Sequence, residues 1–171
     1  GVAVVQEADG DARVLFIGDA GEAARRWPDA EEVDSGFALS PPPVNAHLHL
    51  DLSGMPHVED DYEAFVRAVV AHGRSGGRGV EAARRGLAEL AAAGTTTFGD
   101  IVADEATMFD LLARPGLAGV AYWEVFAPDP GQADEVFDAT VAALRRFRAA
   151  ARPDGLRVGL SPHAPHSVSA P

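Results

Sequence analysis

The chain of 171 residues has no cysteine, no lysine and few cationic groups of any kind. Without cysteine there is no disulfide, no thiolate ligand and no cysteine nucleophile, so any metal bound here is held by nitrogen and oxygen. The 14 basic residues are all arginine. That removes Schiff-base chemistry and the carbamylated lysine that can bridge two metals, although a coding bias that also favours Ala, Gly and Pro accounts for the absence as simply. A formal charge of -12 argues against a nucleic-acid partner, which needs a basic face to displace counterions. No stretch approaches the roughly 18 consecutive apolar residues of a membrane span. The short apolar run at the start follows no basic region of the kind a secretory leader has. The expected setting is cytoplasmic, with neither membrane nor nucleic acid as partner.

What is present is apolar residues in alternating and helical patterns. At 47% hydrophobic, the chain can bury the core of one ordinary domain. Residues 2–6 and 13–17 are short β-type runs around Asp9-Gly10-Asp11, a hairpin connection. A short helix over 21–27, stopped by Pro28, and a further strand over 36–40 follow. The triple proline 41–43 cannot donate to a ladder and marks a boundary. Residues 1–40 are therefore expected to be part of a small β-rich accessory domain.

After that boundary the pattern becomes strand, loop, helix, repeated. Strands are expected over 44–50, 95–98, 117–126 and 156–160. Helices are expected over 61–72, 80–93, 105–113 and 133–151, with a Gly-rich joint over 73–79. Helical spacing places Val80, Ala83, Leu87 and Leu90 on one inward face, then Met108, Leu111 and Leu112, then Phe137, Val141, Leu144 and Phe147. Strands separated by helices of this length imply parallel βαβ units and an α/β architecture.

In such a layout the loops after the strands gather at one end of the sheet, where ligands bind. His47 and His49 end the first of these strands, Gly99-Asp100 the second, Glu124 lies near the end of the third, and Ser161-Pro162-His163 end the fourth. Residues two apart in a strand share a face, so His47 and His49 can aim both imidazoles at one ion while Leu48 turns away. Neutral imidazole suits zinc, iron, nickel and similar divalent ions. His-X-His alone is weak evidence; its position on a buried-looking strand after the proline boundary gives it weight. Asp100 and Glu124 are candidates to line the pocket or orient ligands; a carboxylate at a strand end also commonly caps the next helix. Asp51 suits a turn start, His57 and His72 suit the surface, and Tyr122 and Trp123 suit core or pocket wall.

Three motifs carry a family resemblance. The run Ser40-Pro41-Pro42-Pro43-Val44-Asn45-Ala46-His47-Leu48-His49 resembles the signature that opens the barrel of the amidohydrolase superfamily, and Gly94-Thr95-Thr96-Thr97-Phe98-Gly99-Asp100 resembles its second barrel strand. Leu160-Ser161-Pro162-His163-Ala164-Pro165-His166-Ser167-Val168-Ser169 resembles the fourth-strand motif of the deaminase and chlorohydrolase branch, where a tyrosine or phenylalanine usually stands in the place of His166. The segments 41–52 and 124–137 look closest to a bacterial subgroup associated with deamination of 6-aminodeoxyfutalosine in menaquinone biosynthesis.

The resemblance implies a (β/α)8 TIM-type barrel with one divalent metal ion, zinc or iron. Its ligands are two strand-one histidines, a strand-five histidine and a strand-eight aspartate, with a proton-shuttling glutamate after the strand-five histidine. By carry-over His47 and His49 are the metal ligands present. No catalytic residue of the motif lies within the chain, and His163 orients a small-molecule substrate; its alternative is a capped loop histidine. Residues 41–171 are then the first four βα units, the N-terminal half of the barrel, preceded by part of a small β-sandwich domain. Half a barrel leaves two open edges, so a protein more than twice as long is expected, the remainder of the barrel being a partner and a homo-oligomer an open option. The other readings are a chlorohydrolase of the same branch and a non-catalytic half-barrel that serves as a binding module.

Overall fold

The computed structural model describes residues 1–8, 11–33, 36, 38, 40–58 and 61–169. These fall into two compact units, Gly1–Pro41 and Pro42–Pro171.

In the first unit β1 (Val2–Ala8) and β2 (Asp11–Gly18) form an antiparallel pair in register from Val2 opposite Gly18 to Ala8 opposite Asp11. The connection at Asp9-Gly10 lies outside the described residues. Helix α1 (Ala20–Arg26) starts at Asp19, whose carboxylate accepts from the Glu22 amide, and ends at Trp27 before Pro28. The Trp27 ring lies 5.6 Å from that of Phe16, with the Arg26 guanidinium over both. Such a ribbon covers little of its own apolar surface: Ile17 remains 76% exposed. The strand expected over 36–40 falls partly on Phe37 and Leu39, outside the described residues; Gly36, Ala38 and Ser40 are not in a strand.

The second unit is a parallel sheet in the order β3 (Val44–Leu48), β4 (Thr97–Val102), β5 (Ala118–Val125), β6 (Arg157–Pro162). Between β3 and β4 lie α2 (Tyr62–Arg74) and α3 (Val80–Ala92), and α4 (Glu105–Leu112) and α5 (Ala133–Ala150) make the next two crossovers. Each strand lies beside its predecessor, so crossovers of one hand bring the helices to one face. There Phe98, Val102 and Ala121 of the sheet meet Ala83 of α3, Met108, Leu111 and Leu112 of α4, and Ala143 and Phe147 of α5. The result is an α/β unit with its core on one side of the sheet.

Local chemistry explains the helix ends. Asp61 and Asp104 cap α2 and α4 by accepting from the amides of Ala64 and Thr107, satisfying donors with no partner in the first turn. Gly94, at φ 74°, supplies the left-handed stop after α3. Gly86 sits mid-helix because a Cβ there would collide with Ser53 and Leu50, which press against α3.

Three expectations need correcting. Phe137 is 67% exposed, whereas Phe147 of the same expected stripe is wholly buried and Ala143 joins it, so the contact face of α5 departs from the expected stripe at its N-terminal end. β4 runs on to Val102, past the glycine that suggested a strand end. β3 is exposed along most of its length, with Val44 at 65%, because it is an edge of the sheet. Among the described residues no helix is long and apolar enough to cross a membrane.

Candidate active site

The pairing of β3 with β4 is irregular. Val44 and Asn45 lie opposite Thr97 and Phe98, but Leu48 lies opposite Asp100, so three steps along β3 match two along β4. The extra residue flips the alternation. Leu48 turns onto the helix-covered face, where it packs against the core, and its neighbours His47 and His49 turn to the other. Their rings stand 5.5 Å apart, edge to face at 70°. His47 is exposed and His49 half-buried.

Burial lowers the pKa of His49, opposed by the charges of Glu124 and Asp51, which favours the neutral form that metals require. Its Nδ1 is buried and makes no hydrogen bond. Two adjacent imidazoles, one with an unpartnered buried nitrogen, fit the first pair of ligands for a divalent metal. Among the described residues no group of three or more His, Asp or Glu could hold an ion, so the pair is all that this segment offers.

Two carboxylates fix the turn that follows. His49 precedes a single 3-10 turn, Leu50–Leu52. The Leu50 amide donates to Asp100 Oδ1 at 2.8 Å, and Arg78 holds Asp51 Oδ2 through Nε at 2.8 Å and through its terminal nitrogen at 2.6 Å. Asp51 is almost wholly buried, so it is more than a turn starter: it ties the histidine turn to the start of α3. Such a pair gives position more than net stability, since desolvation offsets most of the attraction.

Asp100 corrects the expectation that it lines the substrate side. With β4 extending beyond it, Asp100 lies mid-strand, opposite Leu48 and Ala121 on the helix-covered face. It is 1% exposed, and its Oδ2 makes no hydrogen bond. Burial pushes its carboxyl up to about 7, partly offset by the Leu50 amide, with Asp51 adding to the rise.

Glu124 and His163 do reach the histidine face. Glu124 follows Tyr122 by two residues on β5 and lies opposite Ser161 of β6. Its Oε1 is 4.0 Å from His163 Nε2, and its charge acts on His49. His163, just past β6, donates its amide to the Val125 carbonyl at 3.0 Å. Its ring stands edge-on to Phe126 at 5.4 Å and to His166 at 6.4 Å. Tyr122 lies on the same strand two residues before Glu124 and opposite Gly159 of β6. A Cβ on Gly159 would run into its ring, and one on Gly99 would meet the Ala46 carbonyl oxygen at 2.6 Å, so Gly159 leaves room for the tyrosine and Gly99 for the close approach of the β3 backbone.

Several contributors were not found by sequence reasoning. Asp51 and Arg78 are 27 residues apart, and no spacing rule joins them. Ser167, which touches His163, lies within the third motif, where nothing in the sequence marks it for a role. His72, expected at the surface, has a buried Nε2 without a partner; Gly77 lies against its ring. Trp123 packs against Phe147 at 5.1 Å, as core.

The class these features define is an α/β protein whose histidines and glutamate converge at the carboxyl ends of parallel strands, where such folds bind ligands. No protein-family model matches the chain. It is 44% identical over 169 residues, 99% of its length, to the aminodeoxyfutalosine deaminase of Deinococcus radiodurans. It is 29% identical over 163 residues to the 5-methylthioadenosine/S-adenosylhomocysteine deaminase of Nitratidesulfovibrio vulgaris. Both are amidohydrolase-family deaminases, and this chain is their relative. It spans 39% and 36% of their lengths.

Proposed function

We propose that this chain supplies the strand-one half of the metal centre of a hydrolytic deaminase acting on the amino group of a purine-type nucleoside or base. The observation that carries this reading is the pairing of His47 and His49 on one face, with Glu124 and His163 on the same face, in a chain 44% identical to an aminodeoxyfutalosine deaminase. The sheet β3 to β6 is read as the first four strands of a (β/α)8 barrel, and residues 1–40 as part of a small β-sandwich. Helices on one face and two open sheet edges support that reading.

His47 and His49 would hold one divalent metal, zinc or iron, together with ligands from the remainder of the barrel. When bound, such a metal acidifies a coordinated water to a pKa of about 7, making a hydroxide equivalent available at neutral pH. The burial of His49 favours its neutral ring. Glu124 and His163 lie where they can accept or donate hydrogen bonds to the substrate and orient its reacting carbon. The proton shuttle expected of the family has no counterpart among these residues. The substrate favoured is 6-aminodeoxyfutalosine, which would place the protein in menaquinone biosynthesis in the cytoplasm. The second relative favours methylthioadenosine or S-adenosylhomocysteine as the alternative.

Ammonia release by the intact protein from these three nucleosides, set against chloride release from a chlorinated ring analogue, tests the proposal. The expected result is ammonia and a 6-oxo product from 6-aminodeoxyfutalosine, with one divalent metal per chain that His47→Ala loses. Metal-loaded protein that deaminates none of the nucleosides would overturn it.

A further inference from the structure

The loop after β6 is folded back on the end of β5. Besides the bond from His163 to Val125, the Ala127 amide donates to the Ser167 carbonyl at 2.8 Å and the Ser169 amide donates to Ala127 at 2.7 Å. This clasp buries Ser167 to 2% exposure and sets its hydroxyl 2.7 Å from His163 Nδ1 and 3.1 Å from the Ala164 carbonyl oxygen.

A serine hydroxyl has one proton to donate, and a carbonyl oxygen can only accept. Both contacts are satisfied together in one way: the hydroxyl donates to Ala164 and accepts from a protonated Nδ1. Neutral His163 then carries no proton on Nε2. That bare nitrogen stands 4.0 Å from Glu124 Oε1, too far for a direct hydrogen bond, and both atoms are acceptors.

We infer that Ser167 is a positioning residue that holds His163 as its Nδ1–H tautomer, so that His163 Nε2 and the Glu124 carboxylate together offer two acceptors to an N–H or O–H donor group of the substrate. The assignment of that donor to a substrate rests on the proposed deaminase; the tautomer does not. A molecule presenting a hydroxyl or amino group suits the gap, whereas a bare ring nitrogen or carbonyl oxygen there would face two lone-pair bearers and be repelled.

Nitrogen-15 spectra of the histidine rings in the intact protein, taken at about pH 8 where neutral imidazole dominates, test this. His163 is assigned by the signal missing from His163→Gln. The expected spectrum has a protonated Nδ1 and an unprotonated Nε2. Ser167→Ala should mix the tautomers or reverse them, and should raise KM roughly tenfold with kcat little changed, the size expected for one misaligned hydrogen bond. Ser167→Thr, which keeps the hydroxyl, should restore both. A wild-type ring protonated on Nε2 overturns the inference even if the variants do not fold, as does a Ser167→Ala tautomer identical to wild type. Wild-type protein with the expected tautomer but no deaminase activity would defeat the functional proposal alone.

Discussion

The two faces of the parallel sheet come from alternate residues of the same strands, yet they have opposite chemistry. On the helix-covered face Phe98, Val102, Ala121 and Leu48 meet α3, α4 and α5 in a dry core. On the other, His47, His49, Tyr122 and Glu124 share an open surface with Gly159, which seats the tyrosine. Stability and chemistry are thus separated by one pleat. The dry face carries the packing energy, and the histidine face is left free to keep unpartnered polar atoms that would be costly in a core. Asp100 breaks the division, as a carboxyl buried on the dry side with one oxygen unpaired.

The sharpest test of the comparison is Phe147→Ala. Phe147 is fully buried against Phe109 and Trp123, and its truncation should cost about 3–5 kcal/mol in denaturant unfolding. A loss below about 1 kcal/mol would mean that the helix-covered face is not the core.

The next largest effect is expected at Asp100 and depends on pH. Its folded value of about 7 lies above the ordinary 3.8, so the folded protein holds a proton that the unfolded chain releases between those values. Its contribution is intact below about pH 4 and is lost as pH rises toward 7, by roughly 2–4 kcal/mol in all. Asp100→Asn keeps an oxygen for the Leu50 amide and has no charge to bury. Its unfolding midpoint should therefore match wild type near the acid end and exceed it at about pH 8. Parallel pH profiles for the two proteins would show that Asp100 is not held protonated.

The smallest effect on stability should come from His47→Ala. Its side chain is exposed on an edge strand, so unfolding should change by no more than about 0.5 kcal/mol, while metal content measured on the intact protein falls to background. A stability loss as large as that of Phe147→Ala would erase the distinction between the faces.

Much of this was legible in the sequence. The order of strands and helices from β3 to β6 follows from apolar periodicity, and Met108, Leu111 and Leu112 are wholly buried as their spacing requires. Element ends were less legible. Gly99 and Asp100 look like strand punctuation, but the glycine is there because the Ala46 carbonyl of β3 presses against it, and the aspartate receives the Leu50 amide. Phe137 looks inward on hydrophobicity alone, although the contact face of α5 is set by which neighbours it meets.

By itself the sequence determined the α/β class, the His-X-His pair and the excluded chemistries, because residue type and local period are properties of the chain. Tertiary structure alone decided which face each functional side chain occupies. One extra residue in β3 turns His47 and His49 away from the core, and one further step along β4 turns Asp100 into it. Alternation predicts that neighbours point apart; it cannot say which side receives the helices. The Asp51–Arg78 tie and the Ser167–His163 contact were likewise decided by folding, since each joins side chains whose meeting depends on a backbone path that no periodicity encodes.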